Sequence, residues 1–158
     1  MDITEICLEC KNFFLRDGVK DIHSDLYTIS GHTIAPLDFI LPGQYFRITN
    51  SRQNDGVYQN TEEGMAELKD ETFEGNIWAM SVPPAFLKLC EEITAWQNKY
   101  GTAASNNMSP YQSESIAGVY SYSKATGGGS AGSGESTTNT WQGLYKSRLN
   151  KWRRLRVL

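Results

Sequence analysis

The sequence has little cysteine, little histidine and no long apolar run. Its three cysteines, an odd number in 158 residues, do not make a disulfide framework. Cys7-Leu8-Glu9-Cys10 has the spacing of half a zinc site, but a second ligand pair would have to come from Cys90, His23 and His32. Two small core residues on one helix face are the simpler account, so no metal is expected. No stretch approaches the roughly 18–20 apolar residues of a membrane span. The opening Met1-Asp2-Ile3-Thr4-Glu5 lacks the basic and apolar regions of a secretory signal. A cytoplasmic chain without a membrane partner is therefore expected.

Acid is absent from the last thirteen residues, which hold Lys146, Arg148, Lys151, Arg153, Arg154 and Arg156. Removing these six from fifteen basic residues leaves nine against eighteen acids, so residues 1–145 carry a net charge of −9. An acidic body with a basic end is a partner-seeking pattern.

What the sequence does have is one strong helix. In 83–100 the apolar residues Phe86, Leu89, Cys90, Ile93, Trp96 and Tyr100 recur at steps of three and four, which lays them on one face. Pro83 and Pro84 suit its first turn, and Gly101 is expected as a left-handed residue at its end. Burying Phe86, Leu89, Ile93 and Trp96 contributes roughly 1.5–3 kcal/mol each before ordering costs.

Before it, Ile3, Ile6, Cys7, Cys10 and Phe14 predict a short amphipathic helix over 3–15, stopped by Asp17-Gly18. From 26 to 82 the period becomes two, as in Gln44-Tyr45-Phe46-Arg47-Ile48-Thr49 and from Asn76 to Val82. Asn54-Asp55-Gly56 is the strongest turn signal. After the helix come a polar stretch to Ser109 and one alternating strand, 113–123, without an obvious partner. Residues 127–136 have the composition of a flexible linker. A last helix, capped by Thr138 or Asn139, carries Trp141, Leu144, Tyr145, Leu149, Trp152 and Leu155 on one stripe. Gly143 inside it costs about 1 kcal/mol.

The expected class is α+β: a small helical core with a β-module inserted at about 26–82, an extended arm and a C-terminal helix. The divisions are a 1–101 core, a 102–126 arm, the 127–136 linker and a 137–158 basic tail.

Two catalytic patterns in the linker fail on context. Gly128-Gly129-Ser130-Ala131-Gly132 matches a nucleophile elbow, but no histidine or acid follows Glu135. Gly127, Gly129 and Gly132 match a dinucleotide fingerprint without a βαβ unit around them. The pairs Asp70-Glu71 and Glu91-Glu92 read as solvated surface, and His23-Ser24-Asp25 is contiguous where a triad assembles in space. No catalytic residue and no cofactor are expected. The tail, with Trp152 and Leu155 on the apolar stripe and arginines flanking it, has the make-up of a protein–protein anchor. Salt-dependent nucleic-acid binding through the same tail is the alternative from another class.

Ser109-Pro110-Tyr111-Gln112-Ser113-Glu114-Ser115-Ile116, followed by Tyr120-Ser121-Tyr122-Ser123, a Gly/Ser tract and a Trp-Arg-Arg tail, resembles head–tail connector (adaptor or head-completion) proteins of long-tailed bacteriophages. Gly43-Gln44-Tyr45-Phe46 and Asn54-Asp55-Gly56-Val57-Tyr58 are similar to a β-insert found in such proteins. The likeness spans 43–58, 71–96, 109–123 and 141–155. It implies a virion neck protein, assembled in the cytoplasm of a bacterial host, and not an enzyme. Copies would form a dodecameric ring between the portal protein and the next neck or tail protein. Viral DNA would pass through without sequence-specific contact. The arm, with Ser113, Glu114, Ile116, Tyr120 and Tyr122, would add to a neighbouring copy. Trp152, Arg153, Arg154, Leu155 and Arg156 would dock on the portal, and truncation after Asn150 would spare folding. A stopper or tail-completion protein of the same neck is the nearest alternative.

Overall fold

A computed structural model describes residues 2–101, 113–116, 120–123 and 140–155. The expected linker at 127–136, the rest of the arm and Arg156 lie outside the described residues. Helix α1 (Ile3–Cys10) is capped by Asp2, whose carboxylate accepts the Thr4 N–H at 3.2 Å. It stops five residues short of the expected end. Lys11 turns left-handed (φ 50°), and the Asn12 side chain accepts the Phe14 N–H, a local bond that competes with helix. The apolar run Phe13-Phe14-Leu15 is buried all the same, as irregular chain.

Five strands follow: β1 (Ile22–Ser30), β2 (Thr33–Ala35), β3 (Tyr45–Thr49), β4 (Gly56–Gln59) and β5 (Glu71–Ala79). They form one antiparallel sheet in the order β2-β1-β5-β3-β4. Alternation gives the sheet two faces. Tyr27, Ile29, Phe46, Ile48, Phe73 and Ile77 fill the inner face, closed over by Ile34, Ile40, Met65 and Leu68. On the outer face Val57, Trp78 and Met80 meet α1, helix α2 (Pro84–Tyr100) and two short helices, α3 (Trp141–Leu144) and α4 (Lys146–Asn150). Gly75 permits the close crossing of β5 and β3, because a Cβ there would lie 2.6 Å from the Thr49 carbonyl oxygen.

This arrangement corrects the expected class. The molecule is not a small helical core with a β-module inserted into it. Its body is a curled five-stranded antiparallel sheet, a half-barrel, and the few helices are applied to one side; the mixture of α and β itself is compatible with the structure. The reason lies in burial. The inner core is made wholly by strands and their connections, and it needs no helix. The strands also run further than their apolar signal, since Ser24, Thr28, Thr72, Glu74 and Asn76 occupy the outer side of β1 and β5 beyond the helices' cover.

Helix α2 starts and ends where its pattern predicts, with Phe86, Leu89, Cys90, Ile93 and Trp96 buried. Gly101 is right-handed (φ −78°), so the glycine marks the end without supplying the left-handed turn. The last helix breaks in two around Tyr145, and its cap is Thr140, whose hydroxyl accepts the Gly143 N–H at 3.2 Å.

Candidate interaction surfaces

The C-terminal tail does not stand free. Trp152 packs edge-on against Phe14 and Phe86, with ring centroids 5.9 and 5.5 Å away. Its carbonyl accepts the Asn12 side-chain amide at 2.8 Å, and the Arg154 N–H donates to the Cys10 carbonyl at 3.0 Å. Arg153 pairs with Glu9, and Arg148 with Glu92. The expected portal anchor is thus divided. Trp152 and Arg153 strap the tail to the chain's own α1, because the outer core leaves a slot that an indole fills. Leu155 is fully exposed, and Arg156 lies beyond the described residues.

The expected lone strand at 113–123 is two strands, β6 (Ser113–Ile116) and β7 (Tyr120–Ser123), paired antiparallel. Ile116 stands opposite Tyr120, Glu114 opposite Tyr122, and Ser113 opposite Ser123. The hairpin is a separate sheet, bonded to no strand of the body.

A third feature is Arg47, a charged residue inside the alternating strand β3. Arg47 stands between Val57 and Trp78 across three strands, on the phase that packs against the helices. Its guanidinium carbon lies 3.8 Å from the centre of the Phe13 ring and 4.5 Å from that of Trp78. Those rings meet edge-on at 5.9 Å, so they form a corner around the charge. Burial lowers the Arg47 pKa from its ordinary value, with Asp55 opposing the shift. The guanidinium makes no ion pair or hydrogen bond with a described residue. Lys11 and Arg154 line the adjoining cleft with Phe13, Leu15 and Trp78. Arg47 stands on the strand phase opposite to Phe46 and Ile48, the phase that the helices cover.

The residues considered for chemistry have structural work instead. Asp70 accepts the Gly31 N–H at 3.0 Å, and Glu71 holds the 51–54 loop. His23 stacks on Phe39 at 3.9 Å, Ser24 bonds Asn76, and Asp25 accepts the Leu26 N–H, so the three are not assembled as a triad. Cys7, Cys10 and Cys90 are all buried. Burial pushes the Cys10 thiol up to about 11 and the Cys90 thiol up to about 12, and raises Cys7 as well. All three behave as small apolar core residues. Among the described residues no group of His, Cys, Asp and Glu could hold a metal ion, and no helix is long and apolar enough to cross a membrane. No protein-family model, curated protein or solved structure matches the chain.

Proposed function

We propose that this chain is a structural protein of the neck of a long-tailed bacteriophage and has no catalytic role. Copies form a ring that joins the portal of the DNA-filled head to the next neck or tail protein, while DNA passes through the channel. The shared order of motifs with head–tail connectors supports this reading, and the hairpin carries it. An isolated two-stranded hairpin is marginal in water, and this one has no neighbour in the body sheet. A strand pair in that position is suited to adding onto another chain. The tail contributes its end: Trp152 and Arg153 hold it to the body, and Leu155 and Arg156 face the portal.

Co-sedimentation with portal-bearing, DNA-filled heads tests the proposal. Wild-type chain attaches to heads. Ile116→Asp with Tyr120→Asp keeps the thermal transition of the body and loses attachment. Leu155→Asp with Arg156→Glu loses attachment in the same way. Undiminished attachment by both variants overturns the reading.

A further inference from the structure

The C-terminal unit, made of α3, α4 and the strap to Leu155, is held by the body as a separate piece would be. Trp141, Tyr145 and Leu149 enter the outer core, and Trp152 fills the gap between Phe14 and Phe86. Polar contacts fix the register. The Arg153 guanidinium donates to the Glu9 carbonyl at 3.1 Å and pairs with the Glu9 carboxylate, while the Arg154 N–H donates to the Cys10 carbonyl. Both carbonyls belong to the last turn of α1, where they have no donor within the helix and a cation is favoured. Arg148 meets Glu92 on α2, and the Asn12 amide donates to the Trp152 carbonyl. Each of these contacts joins residues 140–155 to residues 2–101, and none depends on the chain between them.

That intervening chain is long. Residues 102–139 lie between α2 and α3. On the order of 40 residues span more than about 100 Å when extended, about three times the width of a small domain. The covalent connection therefore does not decide which body the unit completes. Concentration does. A tether of this length sets an effective concentration on the order of millimolar or below, so an isolated chain in dilute solution closes on itself. Copies set side by side offer an identical slot, and passing the unit across exchanges one set of contacts for the same set. The unit shares one core with α1 and α2, so the choice between bodies is made as the chains fold.

We propose that the slot formed by α1, Phe14 and α2 is a site between copies, which in assemblies of this chain receives the C-terminal unit, Trp141 to Leu155, of a second copy. Two copies in solution exchange their units reciprocally, and in a ring each copy passes its unit to the next. The ring form rests on the neck reading. The exchange is tested in purified protein, whereas the neck reading is tested on heads, so either can fail while the other stands.

Refolding of the full chain from urea, followed by sedimentation, provides the test. At micromolar concentration wild type refolds to monomer. At about 1 mM part of it refolds to dimer, and the dimer survives dilution because the unit is released only when the core opens. A Glu9→Cys chain refolded at that concentration with an Arg153→Cys chain is joined to it by a short bis-maleimide, while the native cysteines are buried and do not react. A chain with Glu9→Arg and Glu92→Arg is also refolded at low salt with a chain carrying Arg148→Glu and Arg153→Glu. This mixture gives at least about ten times more dimer than either chain alone, because opposite charges meet only across chains. Wild type that is wholly monomeric after refolding at about 1 mM overturns the proposal. So does a dimer that the bis-maleimide does not join, or a charge-reversed mixture that yields no more dimer than its parts.

Discussion

Asn54 is a polar side chain with no exposed surface, and the fold spends every one of its groups. Its amide donates to the Lys69 carbonyl and to Glu71 Oε2, its side-chain oxygen accepts the Lys69 N–H, and its own N–H reaches Ser51 Oγ. Glu71 completes the set by accepting the Ser51 hydroxyl and the Arg52 N–H. Burial alone would raise the Glu71 carboxyl, but these hydrogen bonds together outweigh it and hold the pKa below the ordinary value. A depressed pKa in the folded state gives stability that is present above the unfolded value, about 4.3, and is lost as pH falls through the folded one. Glu71→Gln should therefore be less stable than wild type at neutral pH, and the gap in urea midpoint should close as pH falls below about 4. A gap that stays constant across that range would mean that the hydrogen bonds do not depend on an ionised carboxylate. Arg47 is the contrasting case, half-buried and without a hydrogen bond or ion pair to a described residue, its charge set against the rings of Phe13 and Trp78.

Among the elements, the tail has the clearest consequence for stability. Deleting everything after Asn150 removes the Trp152 ring from its slot between Phe14 and Phe86. It also removes the acceptor for the Asn12 amide and the Arg153–Glu9 pair. The truncated chain should lose about 3 kcal/mol, and Trp152→Ala most of that, read as a fall in the denaturant midpoint. An unchanged midpoint would mean that the strap is ornamental. The sequence made the helical stripe visible, since Trp141, Tyr145 and Leu149 are all buried as their spacing requires. What covers the stripe was not visible, because a local period states which face is apolar and not which surface lies against it. Helix α2 was legible from end to end because spacing, prolines and glycine agree. The end of α1 was not, since apolar spacing continues to Phe14 while Asn12 has already turned the chain. The β-module was legible as a set of short strands. Its place as the body of the molecule was hidden by the polar residues that β1 and β5 show to water.

At the scale of the whole molecule, one sheet serves two cores, and the tryptophans report on only one of them. Trp78, Trp96, Trp141 and Trp152 all belong to or pack against the outer-face cluster, while the inner cluster holds Tyr27, Phe46 and Phe73 and no tryptophan. Tryptophan fluorescence therefore follows the helices and tail against the sheet, and far-ultraviolet circular dichroism follows the strands. If the outer elements were a detachable layer, fluorescence would change first and the strands would persist. The register argues otherwise. Phe46 and Ile48 face the inner core while Arg47 between them faces the outer one, so neither core can open without disturbing the same backbone ladder. The two signals should superimpose in a urea titration, as a two-state transition requires. Ile93→Ala in the outer core and Ile29→Ala in the inner core should each move both signals together, by about 2–5 kcal/mol. A fluorescence transition at lower urea than the dichroism transition would overturn this, and would make the helical side a separate unit carried on a self-sufficient half-barrel.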